Sequence, residues 1–352
     1  MKRDLRIDSI RGILLIVMTI DHFGGGLTVF TDQPLGYASA LTGFILLSGF
    51  LCGRVYGAPG NQQAQLWRKS AARAWLIYRY HVLLLLLVPV LLLSPLHAEY
   101  LDEFVRPFTL AERPMYYGVA SLLLLHQPVL MDILPAYVVF MALSPPIILA
   151  LRRGQTVLVL SLSILFWLLS RYLNPDRLLS LEYCDGCRYG YLNLLSWQLV
   201  WVVGACIGYP GASGSWSQFV RRPVVLGIAF AVAIILFLKR HGMIDVLSDA
   251  VTDMNSLSPV RLLNLFALLV LSLALFLKIP RHWQIPGVSL IGRYSLQVFA
   301  FHVLLAYLLL PYSPMIIAAT GEIGYLIFTL LVVSSLILPA LWQRRRERTF
   351  LA

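Results

Sequence analysis

The chain has 352 residues, of which 59% are hydrophobic and 13% are charged, and its formal net charge is +11. Soluble domains carry about 25% charged and about 45–50% apolar residues. The composition therefore excludes a disordered chain, a coiled coil, a collagen and a small disulfide scaffold, and it argues strongly against a soluble globular enzyme. Repeated apolar runs of about 20 residues instead predict an all-α, polytopic integral membrane protein.

Ten apolar runs are long enough to predict membrane spans. In chain order they cover residues 10–30, 36–56, 74–96, 131–151, 155–173, 190–209, 223–238, 259–279, 290–311 and 322–342. An eleventh run, 114–127, is short and stops at Pro128, so we expect a re-entrant or surface helix near 114–128. Because no linker or repeat divides the sequence, we treat residues 1–352 as a single membrane domain.

The basic residues predict the orientation of these spans. If the N-terminus is cytoplasmic, most Lys and Arg residues fall at inner span ends, and acidic residues such as Glu99, Asp102 and Asp185 fall outside. We therefore expect both termini in the cytoplasm. The positive charge then indicates contact with membrane lipids rather than nucleic acid, and the sequence leaves the oligomeric state open.

The cysteines do not indicate a metal centre. Cys184 and Cys187 form a CxxC pair in a predicted outer loop, where a local disulfide or free thiols are expected, because no nearby spacing supplies two further zinc ligands. Cys52 and Cys206 lie in apolar runs and are expected to pack there.

The first span carries the ionisable residues that most strongly indicate a site. Asp21 and His22 are expected about midway along an apolar helix, and ionisable groups inside a membrane usually serve a function. Arg11 and His22 are about three helical turns apart, which places them on one face about 16 Å apart. Asp8 lies near the same stripe, and Asp21 points about 100° away from His22. The alternative is that His22 packs against another helix and Arg11 only anchors the inner end.

Arg11 and His22 have the spacing of the R-x10-H motif of the acyltransferase type 3 membrane superfamily. Within that group the chain resembles the OpgC family of osmoregulated periplasmic glucan succinyltransferases. The similarity is carried by RDLRIDSIRG and DH in the first span and by the segments TGFILLSGFLCG (42–53), DILPAYVVFMALSPP (132–146), NLLSWQLVWVVG (193–204) and IGRYSLQVFAFHV (291–303). It extends over nearly the whole chain.

The resemblance implies a ten-span enzyme of the bacterial inner membrane that takes an acyl group from cytoplasmic acyl-CoA, with succinyl-CoA favoured, and delivers it to a glycan hydroxyl across the membrane. It implies that His22 is the catalytic base and that Arg11 contacts the donor. Histidine has a suitable pKa for removing a hydroxyl proton, and arginine pairs well with phosphate. Asp21 is expected to support the imidazole. An O-acetyltransferase of the same superfamily is an alternative.

Other basic residues offer further donor contacts. Arg68 and Arg73 are predicted on the inner side, where they would hold the phosphates of CoA or face anionic lipid. Arg293 is expected to be an inner anchor or a donor contact. On a continuous helix Arg293 and His302 would face opposite ways, whereas Ser295 and His302 would share a face. His302 is either a site residue or a core histidine bonded to a neighbouring helix.

Three further residues are weaker candidates. Asp132 lies between Pro128 and Pro135 in a broken stretch that could line an outer cavity, so it is a candidate for an acceptor contact or a simple loop cap. Trp197 and Gln198 form a polar point in the sixth span, where the amide favours an interhelical contact and the indole could stack on sugar.

Two readings from other functional classes remain open at this stage. Asp21 and His22 could form a proton relay in a glycan exporter, although no inverted repeat is visible. The chain could also be a non-catalytic membrane partner of a glycan assembly system. The sequence contains no Walker loop, dinucleotide fingerprint, HExxH motif or nucleophile elbow.

Overall fold

The structure is a computed structural model that describes residues 3–60, 62–92, 114–128, 130–173, 192–211, 213–244, 257–280 and 282–351. These residues form fifteen α-helices and one short 3-10 helix, with no strand among them. In chain order the helices are α1 Leu5–Phe23, α2 Thr28–Thr31, α3 Ala40–Tyr56, α4 Gln63–Leu92, α5 Pro114–Leu122, α6 Ile133–Arg152, α7 Thr156–Leu169, α8 Leu194–Gly208, α9 Ser213–Phe219, α10 Pro223–Arg240, α11 Pro259–Lys278, α12 Val288–Arg293, α13 Ser295–Leu309, α14 Ser313–Ser335 and α15 Ile337–Leu351.

The apolar helices support the prediction of an all-α membrane protein. Within the described residues, five helical stretches are long and apolar enough to cross a bilayer: Gln63–Val88, Ile133–Arg152, Pro223–Arg240, Pro259–Lys278 and Ser295–Thr349. Helices α3, α7 and α8 are apolar but shorter. Large apolar side chains such as Leu86, Val157, Ile228 and Leu331 are more than half exposed, as expected of faces that contact lipid. The count of ten spans remains a prediction.

The first helix ends earlier than the sequence predicts. A span over residues 10–30 is wrong, because α1 stops at Phe23 and is followed by Gly24 and Gly25, both with positive φ. Only glycine adopts that backbone region readily, so the helix terminates there. Asp21 and His22 consequently lie in the last turn of α1 rather than midway along it.

Two other predicted boundaries also differ. The run 290–311 is not one helix, since the chain leaves helical geometry at Tyr294 between α12 and α13. The last predicted span, 322–342, is divided between α14, which is kinked at Gly321, and α15. Helix α5 has only nine residues, or about 13 Å, and is too short to cross a bilayer, in agreement with the prediction that the run 114–127 does not span it.

Glycines allow α3 and α8 to pack backbone against backbone. A Cβ atom added to Gly49 or Gly53 would lie 1.9 or 2.0 Å from the carbonyl oxygens of residues 201 and 205 in α8. A Cβ atom added to Gly204 or Gly208 would lie 2.1 or 2.0 Å from carbonyl oxygens of α3. Each pair has GxxxG spacing, which permits close helix contact in membranes without a hydrophobic driving force.

The start of α1 is fixed to its neighbours by charged side chains. Arg6 pairs with Asp4 at 2.8 Å and donates to the carbonyl oxygen of Ile279 at 2.7 Å. Burial raises the pKa of Asp4, but the hydrogen bond and charge of Arg6, with the charge of Arg54, outweigh it and leave that pKa below its ordinary value. The carboxylate therefore stabilises this end of α1 at neutral pH, and the contribution is lost on acidification.

Several predictions concern residues outside the described ranges. These are the state of Cys184 and Cys187 and the position of the outer acidic residues Glu99, Asp102 and Asp185.

Candidate active site

Two histidines from helices far apart in sequence meet at the end of α1. The Nδ1 atom of His22 lies 2.8 Å from Nε2 of His302 in α13, within hydrogen-bonding distance. Nδ1 of His302 lies 3.0 Å from the hydroxyl of Thr19, which is one turn before His22. His302 and Thr19 are almost completely buried. The imidazole of His22 is thus held by a polar chain between α1 and α13.

A second polar contact joins the same two helices nearer the start of α1. Nη2 of Arg11 donates a hydrogen bond to the hydroxyl of Ser295, the first residue of α13. The guanidinium carbon also lies 5.7 Å from the centre of the Phe44 ring, a cation–π distance. Ser295 is therefore a partner that orients Arg11.

The two contacts show that α1 and α13 run in the same direction. Arg11 and His22 are eleven residues apart in α1, while Ser295 and His302 are seven apart in α13. The difference of four residues corresponds to about 6 Å along a helix axis, which the long Arg11 side chain spans. The shared face of Ser295 and His302 is thus turned toward α1, and the break at Tyr294 separates that face from Arg293.

A small cavity of about 50 Å³ lies at the Arg11 end of this interface. Its polar lining includes Arg11, Arg73, Ser48, Tyr137 and Ser295, with no carboxylate among the described residues that line it. The volume holds a few water molecules, and its charge suits an anion. The histidines are not part of the lining, and Phe299, one turn before His302, is the lining residue closest to them along α13.

The two acidic candidates of α1 have different surroundings. Asp8 is buried and forms a two-pronged pair with Arg3, with a second contact of 2.9 Å between Nη2 and Oδ1. Asp21 is half-buried, and its Oδ1 atom is enclosed with no hydrogen-bond partner in the described part of the chain. Nδ1 of His22, meanwhile, faces His302 rather than a carboxylate. A supporting role for Asp21 therefore remains a prediction.

The basic candidates fall into two groups. Arg73 lies in α4 and lines the cavity together with Arg11, whereas Arg68 is exposed on the same helix. Arg293 pairs with Glu347 of α15 at 3.0 Å at the surface. The structure thus brings Arg11 and Arg73 together and directs Arg293 elsewhere.

The remaining candidates lie outside the cavity lining. Asp132 is buried just before α6, and its side chain does not cap that helix. Trp197 is fully buried. Gln198 donates to the carbonyl oxygen of Ser163 at 2.8 Å and accepts from the Ser163 hydroxyl at 2.7 Å. The amide of Gln198 therefore joins α8 to α7, the interhelical contact that its sequence context favoured.

Sequence reasoning missed Thr19 and the aromatic side chains of this interface. Thr19 lies three residues before His22, so helical spacing alone could have placed both on one face. The rings of Phe44 and Phe299 have centres 6.5 Å apart, and Phe299 and His302 have centres 6.0 Å apart. The contact between Phe44 and Phe299 joins distant segments, so no local pattern indicates it, whereas Phe299 and His302 are neighbours three residues apart on α13. Within the described residues, no cluster of three or more His, Cys, Asp or Glu side chains could hold a metal ion.

Comparison with known proteins gives one family. The family model described as OpgC protein matches residues 3–348, nearly the whole chain. No curated protein and no solved structure shows significant similarity. The match includes every described residue of the α1–α13 interface.

Proposed function

We propose that this chain, which belongs to the OpgC protein family, is an integral membrane O-acyltransferase acting on a periplasmic or surface glycan. Membership of this family suggests an acyltransferase-type function in glucan modification. The observation that supports this proposal most directly is that the pair of His22 and His302 and the side chain of Arg11 lie along one interface between two parallel helices, α1 and α13. A base and an anion-binding group are the two elements that direct acyl transfer from a thioester requires.

The proposed reaction is a direct attack of a sugar hydroxyl on the acyl thioester. His22 Nε2 removes the hydroxyl proton while the oxygen bonds to the carbonyl carbon, and the carbon–sulfur bond then breaks. The thiolate leaving group takes up the proton from His22, so that the products are an ester and free thiol. General-base assistance of this kind typically contributes 10²–10⁴-fold to the rate.

The proposed donor is a cytoplasmic acyl-CoA, with succinyl-CoA favoured, and Arg11 and Arg73 are its contacts. Two guanidinium groups in a cavity without a lining carboxylate suit the phosphates of CoA or the free carboxylate of a succinyl group. Arg68, farther toward the start of α4, would meet the more distant phosphates. We further propose that the donor site and both termini lie on the cytoplasmic side of a bacterial inner membrane.

The donor needs more room than the cavity offers in this conformation. The cavity stops at Phe299, one turn before His302, so the thioester reaches His22 only if the side chains around Phe299 move. We place the acceptor glycan at the opposite end of the interface, beyond His22, with Asp132 as its candidate contact and Asp21 as a support for the imidazolium.

The test is the mass of the glycans that cells make. Glycans from cells with the wild-type protein should carry an added acyl mass that is missing without it, and the size of the increment identifies succinyl or acetyl. The His22→Ala variant should give unmodified glycans. The matched control is His282→Ala, because His282 is exposed and lies outside the interface.

Acylation that survives in His22→Ala at the level of His282→Ala would contradict the mechanism. Export of unmodified glycan that depends on His22 would instead support the transporter alternative.

A further inference from the structure

The hydroxyl of Thr19 has a single proton, and the nearer of its two hydrogen-bond neighbours is the carbonyl oxygen of Leu15. The hydroxyl donates to the carbonyl oxygen of Leu15 at 2.8 Å, a common helix back-bond. Toward Nδ1 of His302, at 3.0 Å, the same oxygen therefore acts as an acceptor. An acceptor at this position requires that Nδ1 of His302 carries the hydrogen.

The hydrogen on Nδ1 of His302 determines which atom is the donor in the contact between His302 and His22. In a neutral imidazole only one nitrogen carries hydrogen, so Nε2 of His302 is an acceptor. Nδ1 of His22, 2.8 Å away, must then be the donor. Neither ring has a carboxylate partner within the described residues, so nothing there favours a charged form of the pair.

We propose that Thr19 and His302 are positioning residues that set the tautomer of His22, so that Nδ1–H points to His302 and the lone pair of Nε2 is left free as the base. This inference rests on the proposed function, in which His22 accepts the hydroxyl proton. His302 here does for His22 what a carboxylate does in other catalytic sites: it holds the ring and fixes which nitrogen is basic.

Burial explains why the side chains of Thr19 and His302 are enough to set the tautomer of His22. Thr19 is 0% exposed and His302 is 1% exposed, so water does not compete for these bonds. Giving up a buried hydrogen bond costs free energy, which favours the arrangement that keeps all three contacts. The reverse arrangement would pair the ring nitrogens as well, but it would lose the hydrogen bond from the Thr19 hydroxyl to the Leu15 carbonyl and would place the hydrogen of His22 on Nε2, where it blocks the base.

Matched variants separate this role from packing. Thr19→Val keeps the shape but loses the hydroxyl, and we expect kcat to fall by about tenfold, a part of the 10²–10⁴-fold that general-base catalysis contributes. Thr19→Ser keeps the hydroxyl and should stay within about twofold of wild type. The donor KM should stay within about twofold in both, because the donor contacts lie at the Arg11 end and only the chemical step is affected.

Two substitutions at His302 sharpen the test. The amide of His302→Gln can reach the position of Nε2 and accept from His22, whereas the shorter amide of His302→Asn reaches only the position of Nδ1. We expect His302→Asn to lose about 100-fold in kcat and His302→Gln to retain about ten times more activity than His302→Asn. Equal activity of the two variants would contradict the proposal.

Nitrogen-15 NMR of protein labelled at histidine, at mildly alkaline pH, tests the tautomers of His22 and His302 without any assay of activity. The His22→Asn and His302→Asn variants assign the two sets of signals. The expected spectrum has Nδ1 protonated and Nε2 unprotonated in both rings, and Thr19→Val should convert His302 to a mixture. Protonated Nε2 in His22 would overturn the inference even if His22→Ala abolishes acyl transfer. If the tautomer is as expected but His22→Ala retains transfer, the proposed function fails and the hydrogen-bond chain remains.

Discussion

The α3–α8 contact and the α1–α13 contact each hold two helices together, but they use different kinds of residue. Between α3 and α8, glycines bring the two backbones together, leaving no room for even one added methyl group. Between α1 and α13, side chains of Arg11, Ser295, His22 and His302 meet across the interface and enclose a cavity at one end. The first contact is built for packing, while the second keeps polar groups inside the bundle and has the character of a site.

The largest expected effect on stability is at the glycine contact. Gly204→Leu should lower the free energy of unfolding by about 3 kcal/mol or more, because the side chain would have to displace the α3 backbone. Thermal unfolding of purified protein in detergent measures the change. Gly227→Leu in α10 is the control, since no atom lies within 4 Å of an added Cβ there. Similar unfolding of the two variants would show that backbone contact is not what holds α3 to α8.

At the polar contact, Arg11→Ala should leave the protein folded but reduce kcat/KM for the acyl donor by about 100-fold, or about 2.7 kcal/mol. The reason is the loss of a cation from a cavity with no lining carboxylate. Arg11→Lys should recover only part of this activity, because an ammonium lacks the planar pairing of guanidinium with phosphate or carboxylate. Full activity of Arg11→Ala would contradict the proposal that the acyl donor binds at this end of the interface.

A polar contact that is only structural should affect stability and not catalysis. Gln198→Leu removes the amide that joins α8 to α7, and we expect a loss of about 1–2 kcal/mol in the free energy of unfolding. A double-mutant cycle with Ser163→Ala should show coupling, since the two side chains share the contact. Strictly additive losses, or a selective fall in kcat, would contradict a purely structural role.

The smallest effect is expected at Ser295. Ser295→Ala removes the hydroxyl that orients Arg11, and the donor KM should rise about fivefold, or about 1 kcal/mol, typical of one hydrogen bond. Combining it with Arg11→Ala should add nothing further, because the serine acts through the arginine. A drop in kcat with unchanged donor KM would instead place Ser295 nearer the chemical step.

Helical spacing predicted the α1 face correctly but not what that face meets. The eleven-residue separation of Arg11 and His22 and the seven-residue separation of Ser295 and His302 each place two residues on one side of a helix. The distance of 280 residues between His22 and His302 carries no local signal, so the expected partner of the imidazole was its neighbour Asp21. Contact between distant helices depends on tertiary packing, which periodicity does not encode.

The end of α1 was missed for a related reason. The apolar run continues past Gly24 and Gly25, but the positive φ angles of these two residues end the helix at Phe23. The same residue type at positions 49, 53, 204 and 208 stays helical and permits close contact. One sequence cannot distinguish these uses, although the GxxxG spacing of the second group is a usable signal.

Similarly, nothing local to Arg293 indicated its pairing with Glu347.

The most direct test of the central claim uses purified protein in liposomes, with labelled succinyl-CoA on the side of the termini and glucan on the other. Wild-type protein and His282→Ala should transfer label to the glucan, while His22→Ala should lower the rate about 1,000-fold at unchanged thermal stability. Equal transfer by His22→Ala, or no labelled glucan with any variant of the folded protein, would contradict an acyltransferase site between α1 and α13.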